Sequence, residues 1–378
     1  MKNHFLLLFI SIVSAIYLLG CWYVFHRGSQ AIPSAQGRVV FAWVFWLLAA
    51  SFIVGQVLER GNYHFITTVI TGIGSTWLAV LWYSFLLVLV IDIVRLLNRF
   101  LHFIPGTIPS HYLFFGVAGF VLVVVASGML NAAFPHVHQM DVTIDKPVEG
   151  NKKELTIALV SDIHMGFIIG NGHVSRLVES INATHPDMVI LAGDLVDHNP
   201  KPVVQENLGR HFSLLKAPLG VYAVTGNHEY IGHPEISVNY LSKFGIRYLR
   251  DTMIEVNGIQ LAGRDDSQKI RFTGKPRKDL ARLLSNAQQA KPLILIDHQP
   301  VEYDKAQQQG VDLMLSGHTH DGQVWPFKYI ANKVYNISEG IMTQGKSHFY
   351  VSSGYGTWGP PVRLGNRPEI ALIKIHFK

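Results

Sequence analysis

"LTIALVSDIHMG", residues 155–166, joins a short apolar, β-branched run to a loop carrying Asp162 and His164. The run has the length and branching of a buried strand rather than of a helix. The same arrangement recurs four times downstream. Apolar runs are followed by "GDLVDH" (residues 193–198), "GNHEY" (226–230), "DHQP" (297–300) and "GHTH" (317–320). Eight strands are expected: 155–160, 188–191, 221–224, 259–262, 293–296, 311–315, 349–352 and 370–377. Amphipathic helices are expected over 173–183, 203–215, 234–244 and 277–289. Such alternation defines an α/β fold, in which chemistry gathers in the loops at the carboxyl ends of strands.

Those loops present Asp162, His164, Asp194, Asp197, Asn227, His228, His298, His318 and His320. Carboxylate, imidazole and amide oxygen are the ligand types of hard to borderline divalent ions, and no cysteine takes part. One Asp-x-His is commonly only a turn, but five such loops in series point to a metal centre. Alternate residues leaving a strand point the same way, so Asp162 and His164, or His318 and His320, can reach one site. Gly193, Gly226 and Gly317 allow the sharp turns that close approach needs.

The first third reads differently. Hydrophobic residues make up 49% of the 378-residue chain, and the mean hydropathy is 0.23, high for a wholly soluble protein. Before residue 135 the only charged residues are Lys2, Arg27, Arg38, Arg60, Arg95, Arg99, Glu59 and Asp92. Four windows, about 5–25, 39–58, 73–94 and 112–130, reach the ~20 apolar residues that cross a bilayer as helix. Residues 1–134 therefore read as a four-helix transmembrane region, 135–153 as a linker or edge strand, and 154–378 as the catalytic domain. Asp92, near a span end, is expected to pair with Arg95 on its own helix. Arg27, Arg38, Arg95 and Arg99 fall in the first and third connections. The positive-inside rule then places those connections in the cytoplasm and the C-terminal domain on the outer or periplasmic face of the inner or plasma membrane. Most of the net charge of +6 flanks the membrane, so the basic pI of 9.2 is no argument for nucleic acid. "LLGC" (residues 18–21) resembles a lipidation signal, but the apolar run continues past Cys21, which reads as a helix residue. His136 and His138 read as interfacial side chains.

The ordered motifs resemble the calcineurin-like metallophosphoesterase superfamily, and "SSGYGTWGPPVRLGNRPEI" (residues 352–370) is similar to the C-terminal signature of its bacterial membrane-associated branch. The resemblance covers about 154–378 and none of the four spans. It implies a four-layer αββα sandwich holding two divalent ions (Mn, Fe or Zn) about 3.5–4 Å apart. Asp162, His164 and His320 would hold the first ion, Asn227, His298 and His318 the second, and Asp194 both. The implied reaction is attack of a metal-bridging hydroxide on a phosphoester or pyrophosphate. His228 would contact the phosphoryl group or protonate the leaving oxygen with Asp197 orienting it, or else serve only as a hydrogen-bonding neighbour of the ligands. Glu229 and Tyr230 read as supporting residues.

Departures narrow the substrate. His198 stands where the family's protein phosphatases carry arginine, and Asp321 where this branch usually has glycine. Arg363 reads either as a phosphate contact or as a surface ion pair. Trp325, Pro326, Phe327 and Trp358 form either an apolar lip for a lipid tail or ordinary core. The substrate classes are a phosphorylated small molecule or a lipid-linked phosphate, on which relatives of this branch act. A catalytically silent metal-binding sensor or scaffold, and a transporter carrying a regulatory hydrolase, are the competing readings.

Overall fold

A computed structural model describes residues 2–61, 64–106, 108–148 and 153–378, the side chains of residues 2–7, 9 and 10 excepted. The chain divides into two compact units, Met1–Met129 and Leu130–Lys378.

The first unit is helical: α1 (Lys2–Ala31), α2 (Ala35–Leu58), α3 (Phe65–Leu101) and α4 (Ser110–Ala133), whose last turn enters the second unit. Among the described residues three helices, α2, α3 and α4, are long and apolar enough to cross a membrane, rather than the four expected. The remaining window, 5–25, falls in α1, where part of the side chains lie outside the described residues. Helix α3 has 37 residues, about 55 Å at 1.5 Å per residue, and overruns the expected 73–94 at both ends. Helices α2 and α3 pack backbone to backbone where Gly74 faces Phe52. A methyl group on Gly74 would stand 2.6 Å from the Phe52 Cα, the small-residue contact on which apolar helix pairs rely. Cys21, Val24, Phe45, Ala49, Trp77 and Leu81 form the buried centre. Asp92 does not rely on Arg95, which stays 3.8 Å away; Arg27 of α1 donates to it at 2.8 Å and the Tyr23 hydroxyl at 2.6 Å. The carboxylate takes these partners from a neighbouring helix because they reach it directly, whereas Arg95 sits one turn along its own helix.

The second unit contains two six-stranded mixed sheets. The first has the order β1-β12-β2-β3-β4-β5, from β1 (His136–Ile144), β2 (Glu154–Val160), β3 (Met188–Ala192), β4 (Val221–Val224), β5 (Ile246–Tyr248) and β12 (Glu369–Phe377). The second has the order β10-β11-β9-β8-β7-β6, from β6 (Thr252–Val256), β7 (Ile259–Gly263), β8 (Leu293–Ile296), β9 (Leu313–Ser316), β10 (Gly340–Gln344) and β11 (Ser347–Val351). Ile157, Leu159, Ile190 and Val224 from one sheet meet Leu261, Ile294, Ile296, Leu313 and Leu315 from the other in a shared core. Alternate residues of the same strands face outward. Val160, Val189 and Leu191 pack on Val174, Leu177, Val178 and Ile181 of α5 (Asn171–Ala183), while Leu295 and Met314 pack on Leu280, Leu283, Tyr303 and Ala306. Helix, sheet, sheet and helix make the four-layer αββα sandwich. These central strands are buried on both faces, which explains their near-continuous apolar runs.

All eight expected strands are present. Four more, β1, β5, β6 and β10, are the four sheet edges, where one flank lacks a strand and the apolar signal thins. Strand β1 occupies part of 135–153, paired in parallel with β12. The helix expected over 277–289 shrinks to Leu280–Leu283, capped by Asp279, whose carboxylate accepts from the Ala281 N–H at 3.1 Å. The one expected over 203–215 is a short α-helix, Lys201–Gln205, followed by a 3-10 turn, Leu208–Leu214.

Candidate metal centre

The loops that follow β2, β3, β4, β8 and β9 converge. After β2, Asp162 and His164 both adopt left-handed backbone, with φ of 54° and 53°; Asp194 after β3 (52°) and His318 and His320 after β9 (76° and 49°) do the same. The pairing of Asp162 with His164 therefore comes from loop conformation and not from strand alternation. Asp and His are among the residues that enter this region most readily, and a run of such positions marks a functional site whose strain, about 1–3 kcal/mol each, the fold sustains.

Two glycines make the convergence sterically feasible. Gly193 has a φ of +88°, and a methyl group there would lie 2.6 Å from His298 Nδ1. Gly226 has ordinary backbone, but a methyl group on it would lie 2.1 Å from Asp194 Oδ1. Glu229 then ties the two loops together. Its fully buried carboxylate accepts from the N–H groups of Gly226 (2.7 Å), Val196 (2.9 Å) and Asp194 (3.1 Å). Burial, reinforced by the charge of Asp194, pushes Glu229 up to about 7.

Two clusters of donor atoms result. In the first, His164 Nε2 and His320 Nε2 face each other at 3.0 Å, with Asp162 Oδ1 at 4.0 and 3.4 Å from them respectively. In the second, His298 Nε2 lies 3.1 Å from Asp194 Oδ2 and 3.3 Å from Asn227 Oδ1, with His318 beside them. His298 Nδ1 donates to the Ala192 carbonyl at 2.8 Å, which turns Nε2 toward the carboxylate. His318 and His320, one residue apart, thus belong to different clusters. The backbone N–H of His318 donates to both oxygens of Asp162, at 3.1 and 2.9 Å.

Electrostatics agree with a cation-binding site. Burial, with the charges of His228 and His320, lowers His164 to about 3, and burial with His298 lowers His318 to about 4, so both rings are neutral donors at pH 7. Burial also lowers His320, helped by Arg363. Burial works against the charge on Asp194, yet His298 and His228 hold it well below the usual carboxylate range. His298 is raised for the reciprocal reason: burial opposes its charge, but Asp194 outweighs burial. A protonated ring facing a carboxylate is what such a pair becomes with no other cation beside it. His164 Nδ1, buried without a hydrogen-bond partner, and the facing Nε2 atoms leave a nitrogen-rich, cysteine-free donor set that fits borderline divalent ions.

His228 sits across from both clusters, its ring centroid 4.5 Å from that of His164. Nδ1 is 2.7 Å from Asp197 Oδ1, and its backbone N–H donates to Asp194 Oδ1 at 2.8 Å. Trp358 stands edge-on to the ring at 5.9 Å, and 58% of it is exposed. Burial opposes protonation of His228, but Asp194 and Asp197 outweigh it and raise the ring to about 9.

Some site residues escaped the sequence. His198 adds its backbone N–H (2.8 Å) and Nδ1 (3.1 Å) to Asp197 Oδ1, so it braces the carboxylate besides replacing an arginine. Gln323 binds the loop of Trp358, donating to its carbonyl at 2.9 Å and accepting its N–H at 2.8 Å; no motif announces this residue.

Three expectations at the rim change. Arg363 is fully buried, so it is not a surface ion pair; it donates to the carbonyls of Ser353 (2.7 Å), Gly354 (3.2 Å) and Gly356 (2.6 Å) and lies 3.2 Å from His320 Nδ1. It ties the C-terminal loop to the ring of His320. Asp321 is fully buried too, turned away from the clusters onto Ser338 Oγ (2.7 Å) and Lys328 Nζ (2.8 Å). Trp325, Phe327 and Trp358 are 48%, 36% and 58% exposed, so they are not core.

The comparisons with known proteins agree with this geometry. A family model described as calcineurin-like phosphoesterase matches residues 155–322. A metallophosphoesterase of Aquifex aeolicus is 33% identical over 253 residues, which is 66% of this chain and 95% of that one. One from Helicobacter pylori is 33% identical over 249 residues, 64% of each chain, so the match spans just under two thirds of that relative's length. A transmembrane protein with metallophosphoesterase domain from Danio rerio is 28% identical over 397 residues, covering 97% of this chain and 88% of its own. The chain belongs to the calcineurin-like phosphoesterase family.

Proposed function

We propose that the chain is a membrane-anchored two-metal phosphoesterase. In this reading residues 1–134 form the membrane anchor, 135–153 join it to the catalytic domain 154–378, and that domain lies on the outer or periplasmic face. The substrate is a phosphoester or pyrophosphate, held in a lipid-linked molecule. The observation that carries the reading is the pair of facing nitrogens, His164 Nε2 and His320 Nε2, 3.0 Å apart beside Asp162, with Asp194, His298 and His318 grouped next to them.

Asp162, His164 and His320 hold one ion, Asn227, His298 and His318 the other, and Asp194 faces both. When bound, two divalent ions supply a water of lowered pKa and neutralise charge on the phosphoryl oxygens. The chain does the rest. His228, protonated at neutral pH, donates to the phosphoryl or leaving oxygen, and Asp197 holds its Nδ1–H so that Nε2 faces the substrate. His198 braces Asp197 and Trp358 covers the ring. The exposed side chains of Trp325, Phe327 and Trp358 offer an apolar rim suited to a substrate with a hydrocarbon tail.

Hydrolysis of an aryl phosphate by the purified full-length protein in manganese, zinc or iron tests the reading. Asp194→Asn is expected to abolish turnover while leaving the circular dichroism unchanged, and His320→Ala to lose bound metal. Unchanged metal content in His320→Ala sinks the ligand assignment. A panel of lipid-linked pyrophosphates against soluble nucleotides tests the substrate class, and a preference for nucleotides overturns it.

A further inference from the structure

The first unit holds a half-open cavity of about 280 Å³ between its helices, far from any motif described above in sequence. Its walls are apolar, with Phe41 and Phe45 from α2, Trp77 from α3 and Val117 and Val121 from α4. Arg27, Asp92 and Arg95 also line it, together with Ser110 at the start of α4.

The charges do not balance. Asp92 is the only acid in the lining, and its Oδ2 already accepts Arg27 Nε and Nη2, each at 2.8 Å, and the Tyr23 hydroxyl at 2.6 Å. Arg95 reaches the same carboxylate only at 3.8 Å and is 48% exposed. Two guanidinium groups share one carboxylate, leaving one positive charge over. Ionisable residues among membrane helices are costly and mark ligand or ion sites by default. Their depth is informative as well. Asp92 and Arg95 close the apolar run of α3, Arg27 lies in the last turns of α1, and Ser110 opens α4, so the polar groups gather at one end of the bundle, at headgroup level. An apolar pocket with a few convergent polar groups is the usual form of a ligand site.

We propose that this cavity binds a lipid with a phosphate in its headgroup, the phosphate on Arg27 and Arg95 and a hydrocarbon chain between Phe45, Trp77 and Val121. Guanidinium groups match phosphate oxygens in geometry as well as charge, and the excess charge disfavours a neutral lipid. The site needs none of the metal-cluster residues, so it stands or falls apart from the catalytic reading.

The test uses the full chain in nanodiscs, with bound lipid read by native mass spectrometry. Phosphatidic acid, diacylglycerol with the same acyl chains, and inorganic phosphate are the three probes. Retention of phosphatidic acid alone is expected, weakened roughly tenfold or more in Arg95→Gln, as loss of a charge-assisted contact implies. Ala118→Trp, which fills the cavity from α4, is expected to remove it. Aryl-phosphate hydrolysis, unchanged in both variants, reports that the chain is folded; if Ala118→Trp does not fold, Arg95→Gln decides. Equal retention of diacylglycerol means a plain apolar void and overturns the proposal. Equal binding of inorganic phosphate means a free-anion site and overturns it too, as does retention of phosphatidic acid unchanged in Arg95→Gln.

Discussion

His228 Nδ1 stands 2.7 Å from Asp197 Oδ1, and the same carboxylate oxygen holds the backbone and ring nitrogens of His198. One carboxylate atom thus orients His228 and His198, two histidines at the site that belong to neither donor cluster proposed for metal.

Asp197→Asn keeps the shape but not the charge, so His228 loses both its orientation and its stabilised protonated form. A fall in kcat of about 10²–10⁴-fold is expected, the usual worth of a positioned general acid, with metal content unchanged. Steady-state kinetics with metal analysis checks this; equal loss of metal would place Asp197 among the ligands instead.

The pKa of His228 sets a pH window. Its value of about 9 is above the ordinary 6.5 because Asp194 and Asp197 outweigh burial. A histidine raised on folding adds stability that is fully present below pH 6.5 and is lost as the pH rises through about 9. The unfolding midpoint of metal-free protein should therefore fall across that interval, and fall less in His228→Gln. Loading metal beside Asp194 offsets part of the negative charge, so the ring should titrate at lower pH in the holoenzyme. Ring-proton shifts in both forms measure this directly.

Gly226→Ala places a methyl group 2.1 Å from Asp194 Oδ1, where the backbone and the Asp194 carboxylate must both move. Loss of metal and of activity is expected even though alanine suits the local backbone of this position. Metal affinity by competition with a chelator reads the effect, and wild-type affinity would show that the two loops have slack.

Arg363→Met removes the guanidinium from the carbonyls of Ser353, Gly354 and Gly356 beside His320, of which Gly354 keeps the Glu369 N–H at 3.0 Å. Stability should fall by roughly 3 kcal/mol, the scale for orphaning buried polar groups. KM should not rise in any folded fraction, since the side chain does not face substrate. A selective rise in KM with stability intact would restore it as a phosphate contact.

Asp321→Gly, the residue usual in the family branch, strips Lys328 and Ser338 of a shared partner. About 1–3 kcal/mol of stability should be lost, with kcat nearly unchanged. Chemical denaturation and kinetics on one preparation distinguish this from a role in catalysis.

The sequence alone determined the class of fold, because strands buried on both faces must be written in apolar residues, and 157–160, 188–191, 293–296 and 313–315 are. It also determined which residue types meet, since Asp, His and Asn end those strands in order. It offered the edge strand β1 only as one alternative for 135–153 and did not reveal the edges β5, β6 and β10, whose exposure erases the pattern, nor that helix 277–289 would shrink to four residues. Tertiary structure decided how the donors meet. Left-handed backbone at Asp162, His164, Asp194, His318 and His320 is set by the loops packed around them; the readiness of Asp and His to enter that region permits it without specifying it. The resemblance divides His318 from His320, and the assembled loops supply the geometry, with His320 facing His164 and His318 beside His298. Burial, which no residue carries in its own letter, turned Arg363 from a surface contact into a support for His320 and gave Asp92 a partner on another helix.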